Sequence, residues 1–209
     1  AARTAGMRAT GDDAAAHAPR APFLVAGRAK QCNDWSADSG AFAIQVLLEE
    51  LGVPHQLVLV DRANNGQRSP AYLALNPNGK IPVLADGELV LYETAAIVLH
   101  LADTHPQARL APAVGTAERA VFYKWLMWLS NTLQAEMPLY FYSDRWADTP
   151  EGAAALKRHA ETHIAGMVDQ LEAELAKHGG PWFLGAKHSV LDPYVLMLCR
   201  WTRGMARPA

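Results

Sequence analysis

Residues 76–103, NPNGKIPVLADGELVLYETAAIVLHLAD, restrict what this chain can become more than any other stretch. Asn76-Pro77-Asn78-Gly79 is turn chemistry: proline fixes φ, and Asn-Gly supplies a position that tolerates φ > 0. The next residues become extended around Pro82. A proline lacks a ladder donor, so it belongs at a sheet edge or at the start of a strand, and X-Pro is the one bond at which cis is cheap. Ala85-Asp86-Gly87-Glu88 reads as a hairpin turn between apolar runs, with Leu89-Val90-Leu91-Tyr92 as the return strand. From Thr94 to Ala102 the sequence is apolar almost all round, the pattern of a helix buried on more than one side.

Glu93-Thr94 stands directly before that helix. Orphan amide donors and the positive end of the helix dipole converge there, which makes a ready anion site with a hydroxyl beside it. Alone, the pair is a helix cap. N-P-x-G-K-[IV]-P-x-L, the hairpin and E-[ST]-x-A-I, in that order and closely spaced, resemble the thioredoxin-like domain of the soluble, bacterial-like glutathione transferases.

The resemblance implies an α/β plus all-α architecture: a thioredoxin-like domain over residues 22–104, a linker over 105–116 and an all-helical domain over 117–209. It implies glutathione as co-substrate, with Ile81 as the backbone clamp for the cysteinyl unit and Pro82 as the cis-proline. Thr94 would take the γ-glutamyl carboxylate through hydroxyl and amide, Glu93 would face the ammonium, and Lys80 would either neutralise the glycyl carboxylate or stay a solvated lysine. Conjugation to small apolar electrophiles is the implied reaction. Non-catalytic binding of glutathione or of a protein partner, and a glutathione-dependent isomerase, dehalogenase or ether-cleaving lyase, use the same site. A homodimer in the cytoplasm is expected by analogy.

Upstream, residues 1–21 show no apolar period and are expected to be poorly ordered. A transit peptide is the alternative, against which Asp12-Asp13 and the lack of bulky apolar residues argue. Residues 22–26 form the first candidate strand, followed by a long polar insertion that departs from the family. Residues 39–51 recover an amphipathic helix with Ser39 near its N-cap and Gly52 at its end, and residues 56–60 a β-branched strand, so a βαβ unit with a parallel pair is expected. Alignment back from Gly52 puts Ser39 where serine-type transferases place the hydroxyl that stabilises the thiolate, and Gly40 where cysteine-type members place the thiol. Ser39 therefore reads as thiolate donor or as plain cap serine, with Ser36 and Cys32 as fallbacks.

Beyond the linker, Val121, Phe122, Trp125, Trp128, Leu129 and Leu133 form one stripe, expected to be core. Tyr123, Met127, Ser130 and Gln134 form a second, mixed stripe suited to lining a substrate pocket. Pro138 is expected to kink or end this helix. Residues 150–177 read as a long amphipathic helix, and Ser189-Val190-Leu191-Asp192 as a capping motif for a buried one. The chain stops shortly after, so the helical domain is expected to be incompletely covered.

The remaining features exclude more than they suggest. A formal net charge of −2 gives no footprint for nucleic acid or an anionic membrane, and no apolar run is long enough to span a bilayer. The two cysteines, Cys32 and Cys199, make no C-x-x-C. His159 and His163 stand four apart but lack the adjacent glutamate of a zincin, so no metal is expected. His100 reads as a hydrogen-bonded core histidine. No G-x-S-x-G or glycine-rich phosphate loop is present.

Overall fold

The computed structural model describes residues 23–27, 29–30, 34–35 and 39–209. The expectations for residues 1–21, and for Cys32 and Ser36, fall outside them. Strand β1 (Phe23–Gly27) is followed by two short strands, β2 (Ala29–Lys30) and β3 (Asp34–Trp35), which pair with each other. Helix α1 (Ala41–Leu51) then leads to β4 (His55–Leu59), helix α2 (Pro70–Leu75), the hairpin β5 (Val83–Asp86) and β6 (Leu89–Tyr92), and helix α3 (Thr94–Thr104). The four longer strands form one sheet in the order β4-β1-β5-β6. β1 runs parallel to β4, with Phe23 opposite His55, and antiparallel to β5, with Val25 opposite Leu84. The parallel pair follows from the helical crossover, and β5 and β6 pair antiparallel, with Val83 opposite Tyr92, across the tight turn at Gly87, whose φ of 59° suits a residue without Cβ.

Alternation along the strands sorts side chains onto two faces. Phe23, Val25 and Leu84 point to one face and join Ile44, Leu47 and Leu48 of α1 and Ile97, Val98 and Leu101 of α3 in the main core. Each such fully buried aliphatic side chain contributes about 1.5–3 kcal/mol. Val83 points the other way and meets Tyr72 of α2, Val60 and Ile81 in a smaller cluster. Residues 81–84 thus run between two layers, α2 on one side and α1 with α3 on the other. Helix α1 ends at Gly52, whose φ of 61° lets its N–H reach back to Glu49 O at 3.0 Å.

The second part is helical: α4 (Ala117–Trp128), a π-turn over Leu129–Leu133, α5 (Gln134–Phe141), the long α6 (Pro150–Ala176) and α7 (Leu191–Trp201). One expectation needs correction and another is narrowed. Val121 is 41% exposed; the core stripe runs through Phe122, Trp125, Leu126, Leu129 and Leu133, and Val121 falls on its flank. Pro138 does not end the helix, which continues to Phe141; it is the turn before the proline that opens, with Gln134 N–H reaching back five residues to Leu129 O. Ser189 and Asp192 cap α7 as the motif requires: Asp192 Oδ2 accepts from Ser189 N at 2.7 Å, and Ser189 Oγ accepts from Leu191 N at 3.3 Å. Asp192 Oδ1 also accepts from Phe183 N at 2.7 Å, fixing the preceding loop.

The two parts are joined by a buried arginine. Arg119, 3% exposed, donates to Asp103 Oδ1 in the last turn of α3 at 2.7 Å and to Pro112 O at 2.9 Å. Among the described residues no helix is long and apolar enough to cross a membrane.

Candidate functional site

Two helix N-termini and a proline meet at one place. The peptide bond from Ile81 to Pro82 is cis, and the Pro82 ring lies against the start of α1. A Cβ placed on Gly40, the N-cap of α1, would sit 2.9 Å from Pro82 Cδ and 2.5 Å from Thr94 Oγ1. These are closer than real Cβ contacts, so only glycine lets the α1 terminus, the proline and the α3 terminus approach this closely. The dipoles of two helices of eleven residues therefore present their positive ends to the same spot.

Thr94 is the first residue of α3 and is 5% exposed, whereas the Glu93 side chain before it is open to solvent. Glu93 takes φ 73° and ψ 113°, a backbone conformation costly for a residue with a Cβ, and its side chain does not cap the helix. Its carbonyl accepts from Ile97 N at 3.0 Å. No side-chain hydrogen bond caps the α3 mouth among the described residues, and no acidic residue stands in its first turn.

Ser39 lies one residue before the α1 cap and is 5% exposed. Its Oγ accepts from Ala41 N at 3.3 Å, which leaves the hydroxyl proton free to donate elsewhere. The contact is that of a helix-starting serine. No acidic residue occupies the first turn of α1 to offset its dipole.

Ile81 and Lys80 lead into this point from the other layer. The Lys80 side chain is exposed, and its carbonyl oxygen accepts two hydrogen bonds, from Tyr72 hydroxyl at 2.8 Å and from Asn76 Nδ2 at 2.8 Å. Asn76 is itself locked: its Oδ1 accepts from Asn78 N at 3.0 Å and its carbonyl from Gly79 N at 2.9 Å. Burial pushes the Tyr72 hydroxyl up to about 12, so it stays protonated and donating at any working pH.

On the helical side, the residues of the expected pocket stripe meet different partners. Tyr123, 38% exposed, takes the Arg119 guanidinium at 4.7 Å from its ring centroid, which ties it to Asp103 at the foot of α3. Ser130 and Gln134 both meet Tyr194 of α7. The buried Tyr194 hydroxyl donates to Gln134 Oε1 and is raised above its ordinary range, first by burial and also by the Glu93 carboxylate, while hydrogen bonding with Ser130 opposes the shift. Met127, 43% exposed, falls between these ends in sequence. Tyr72, Tyr194 and the doubly held carbonyl were not legible as site features: a lone tyrosine in a short helix carries no spacing signal, and Asn76 reads as turn chemistry only.

The other constellations form no comparable cluster. His100 Nε2 lies 3.2 Å from Asp86 Oδ2, so it is hydrogen-bonded as expected, but it is half-buried and not a core residue. The His159 and His163 rings stand 4.3 Å apart with Glu136 at 3.5 Å from His163, and no group of three metal-ligating side chains comes together among the described residues. A groove of about 380 Å³ between α1, the end of α6 and α7, lined by Val46, Trp182, Leu196 and Cys199 among others, includes none of Ser39, Gly40, Lys80, Ile81, Pro82, Glu93 and Thr94.

With this geometry in hand, likeness to known proteins becomes informative. Residues 41–104 match the family model described as glutathione S-transferase, N-terminal domain. The chain is 34% identical over 163 residues to glutathione S-transferase GstB of Escherichia coli, covering 76% of each. It superimposes with a TM-score of 0.70 and 31% identity on a theta class glutathione S-transferase from Xanthomonas axonopodis pv. citri with glutathione bound, covering 90% of this chain and 86% of that one. A transferase homologue from Sulfitobacter, also with bound glutathione, gives a TM-score of 0.75 at 27% identity over 88% of this chain and 83% of that one.

Proposed function

The chain belongs to the glutathione S-transferase family, and from that premise we propose that it binds glutathione where Gly40, Pro82 and Thr94 meet and joins the glutathione sulfur to small apolar electrophiles. The observation that carries this reading is the convergence of two helix N-termini on one cleft, with the α3 mouth capped by no side chain of the described residues. An anionic head fits there: the γ-glutamyl carboxylate on the Thr94 amide and hydroxyl, its ammonium facing Glu93. The cysteinyl backbone then runs along Ile81 before Pro82, and the glycyl carboxylate ends near the exposed Lys80 ammonium.

This orientation brings the sulfur to the start of α1. A free thiol titrates near 8.5, so only a few per cent is thiolate at neutral pH. The α1 dipole and a donated hydrogen bond from Ser39 Oγ both favour the anion and lower that value. The thiolate lone pair forms the S–C bond while the leaving group departs with its electrons, and the thiol proton goes to solvent. Ser130 and Met127 line the side from which the electrophile arrives, with Tyr123 further along. A cytoplasmic homodimer serving detoxification is the corresponding biological setting.

The test pairs binding with chemistry. Calorimetric titration of glutathione should give saturable binding, and conjugation of an aryl halide should show an apparent thiol pKa below 8.5 that moves upward in Ser39→Ala. Saturable binding with no conjugation would favour the second reading, a binding protein on the same fold.

A further inference from the structure

We propose that Tyr72 and Asn76 are positioning residues that aim and polarise the Ile81 N–H as the donor to the cysteinyl carbonyl of the bound tripeptide, an inference that rests on the glutathione reading above. Lys80 C=O and Ile81 N–H belong to one peptide unit. The only cis bond among the described residues is the next one, Ile81–Pro82, so the Lys80–Ile81 unit is trans and its C=O and N–H point in opposite directions. Two donors at 2.8 Å hold the carbonyl from one side, which sets the direction of the N–H on the other.

The two holders are themselves rigid. Tyr72 is buried against Val60, Val83 and Ile81, and its backbone carbonyl accepts from Asn76 N at 2.9 Å, so α2 carries both donors as one body. Asn76 is buried and braces the turn through Asn78 and Gly79, as described above. A carbonyl that accepts two hydrogen bonds also draws electron density across its peptide unit, which makes the N–H at the far end a stronger donor. The arrangement thus does two things for a ligand lying along Ile81: it removes the freedom of the peptide plane, and it strengthens the one donor the plane offers.

Tyr72→Phe deletes one donor while keeping the ring that fills the small cluster. Loss of one such bond should weaken glutathione binding about fivefold. A second ligand separates positioning from general loosening: γ-glutamylmethylamide keeps the glutamyl head that docks at Thr94 and lacks the cysteinyl carbonyl. Its affinity, followed by amide shifts in α3, should be equal in wild type and Tyr72→Phe. Equal glutathione affinity in the two proteins, or equal weakening toward both ligands, would overturn the inference while leaving the function standing. Wild type that fails to bind glutathione would overturn the function and this inference with it. A measurement on wild type alone covers the case of a variant that does not fold: the Ile81 amide proton should move downfield on adding glutathione by more than its neighbours, and a resonance that stays put would refute the proposed contact.

Discussion

Replacing Gly40 by alanine tests the close approach on which the site is built. Gly40 has φ −57° and ψ −17°, ordinary helical values, so backbone conformation alone would favour the change by about 0.4–1 kcal/mol through the unfolded chain. Packing opposes it. The new methyl would lie 2.5 Å from Thr94 Oγ1 and 2.9 Å from Pro82 Cδ. Threonine could turn its hydroxyl away, but the proline ring cannot rotate, and Thr94 is buried. Overpacking of this kind costs about 1–3 kcal/mol, so Gly40→Ala should lose about 1–2 kcal/mol net. Gly166 is the matched control: it lies within α6, and a Cβ there meets nothing within 4 Å, so Gly166→Ala should gain about 0.5–1 kcal/mol. Urea unfolding followed by far-ultraviolet circular dichroism reads both. A displaced Thr94 hydroxyl should also weaken glutathione binding about tenfold in Gly40→Ala, or about 1.4 kcal/mol. If Gly40→Ala were as stable as wild type while Gly166→Ala rose, the three-way contact would not exist as described.

Three further outcomes follow from the same structure. Glu93→Gly relieves the φ of 73°, so it should leave thermal stability unchanged or raise it by up to about 1 kcal/mol while weakening glutathione binding; lowered stability in calorimetric melting would refute the strain. Asp192→Ala strands the amides of Ser189 and Phe183 and should cost about 2–4 kcal/mol in urea unfolding, against almost nothing if the cap were ornamental. Tyr72 ionises near 10 when unfolded and at about 12 when folded, so its contribution is complete below pH 10 and is lost as pH rises toward 12. Wild type should therefore lose more stability than Tyr72→Phe across that window, and parallel pH profiles would contradict this.

Much of the site was legible because it is local in sequence. The turn, hairpin and buried helix of residues 76–103 follow from proline, Asp-Gly and apolar patterning, and the α3 mouth lies inside the same stretch. The parallel β1–β4 pair was legible from a helix between two apolar runs. What escaped was spatial. Nothing in Gly40 announces that Thr94 and Pro82 will touch it, since the contact joins residues more than forty positions apart. The Val121 expectation failed for a related reason, since periodicity fixes a stripe only to within one position; of the kink or end expected at Pro138 the end did not occur, because a π-turn upstream let the helix absorb the proline. Tyr194 is invisible for the same cause, lying in α7 yet reaching Gln134 sixty residues earlier.

The most direct test of the whole account is a crystal structure of the chain with glutathione. The account predicts the γ-glutamyl carboxylate on the Thr94 amide and hydroxyl, the cysteinyl backbone along Ile81 and the sulfur nearest Ser39 at the start of α1. Glutathione bound elsewhere, or an α3 mouth left empty at saturating glutathione, would contradict it.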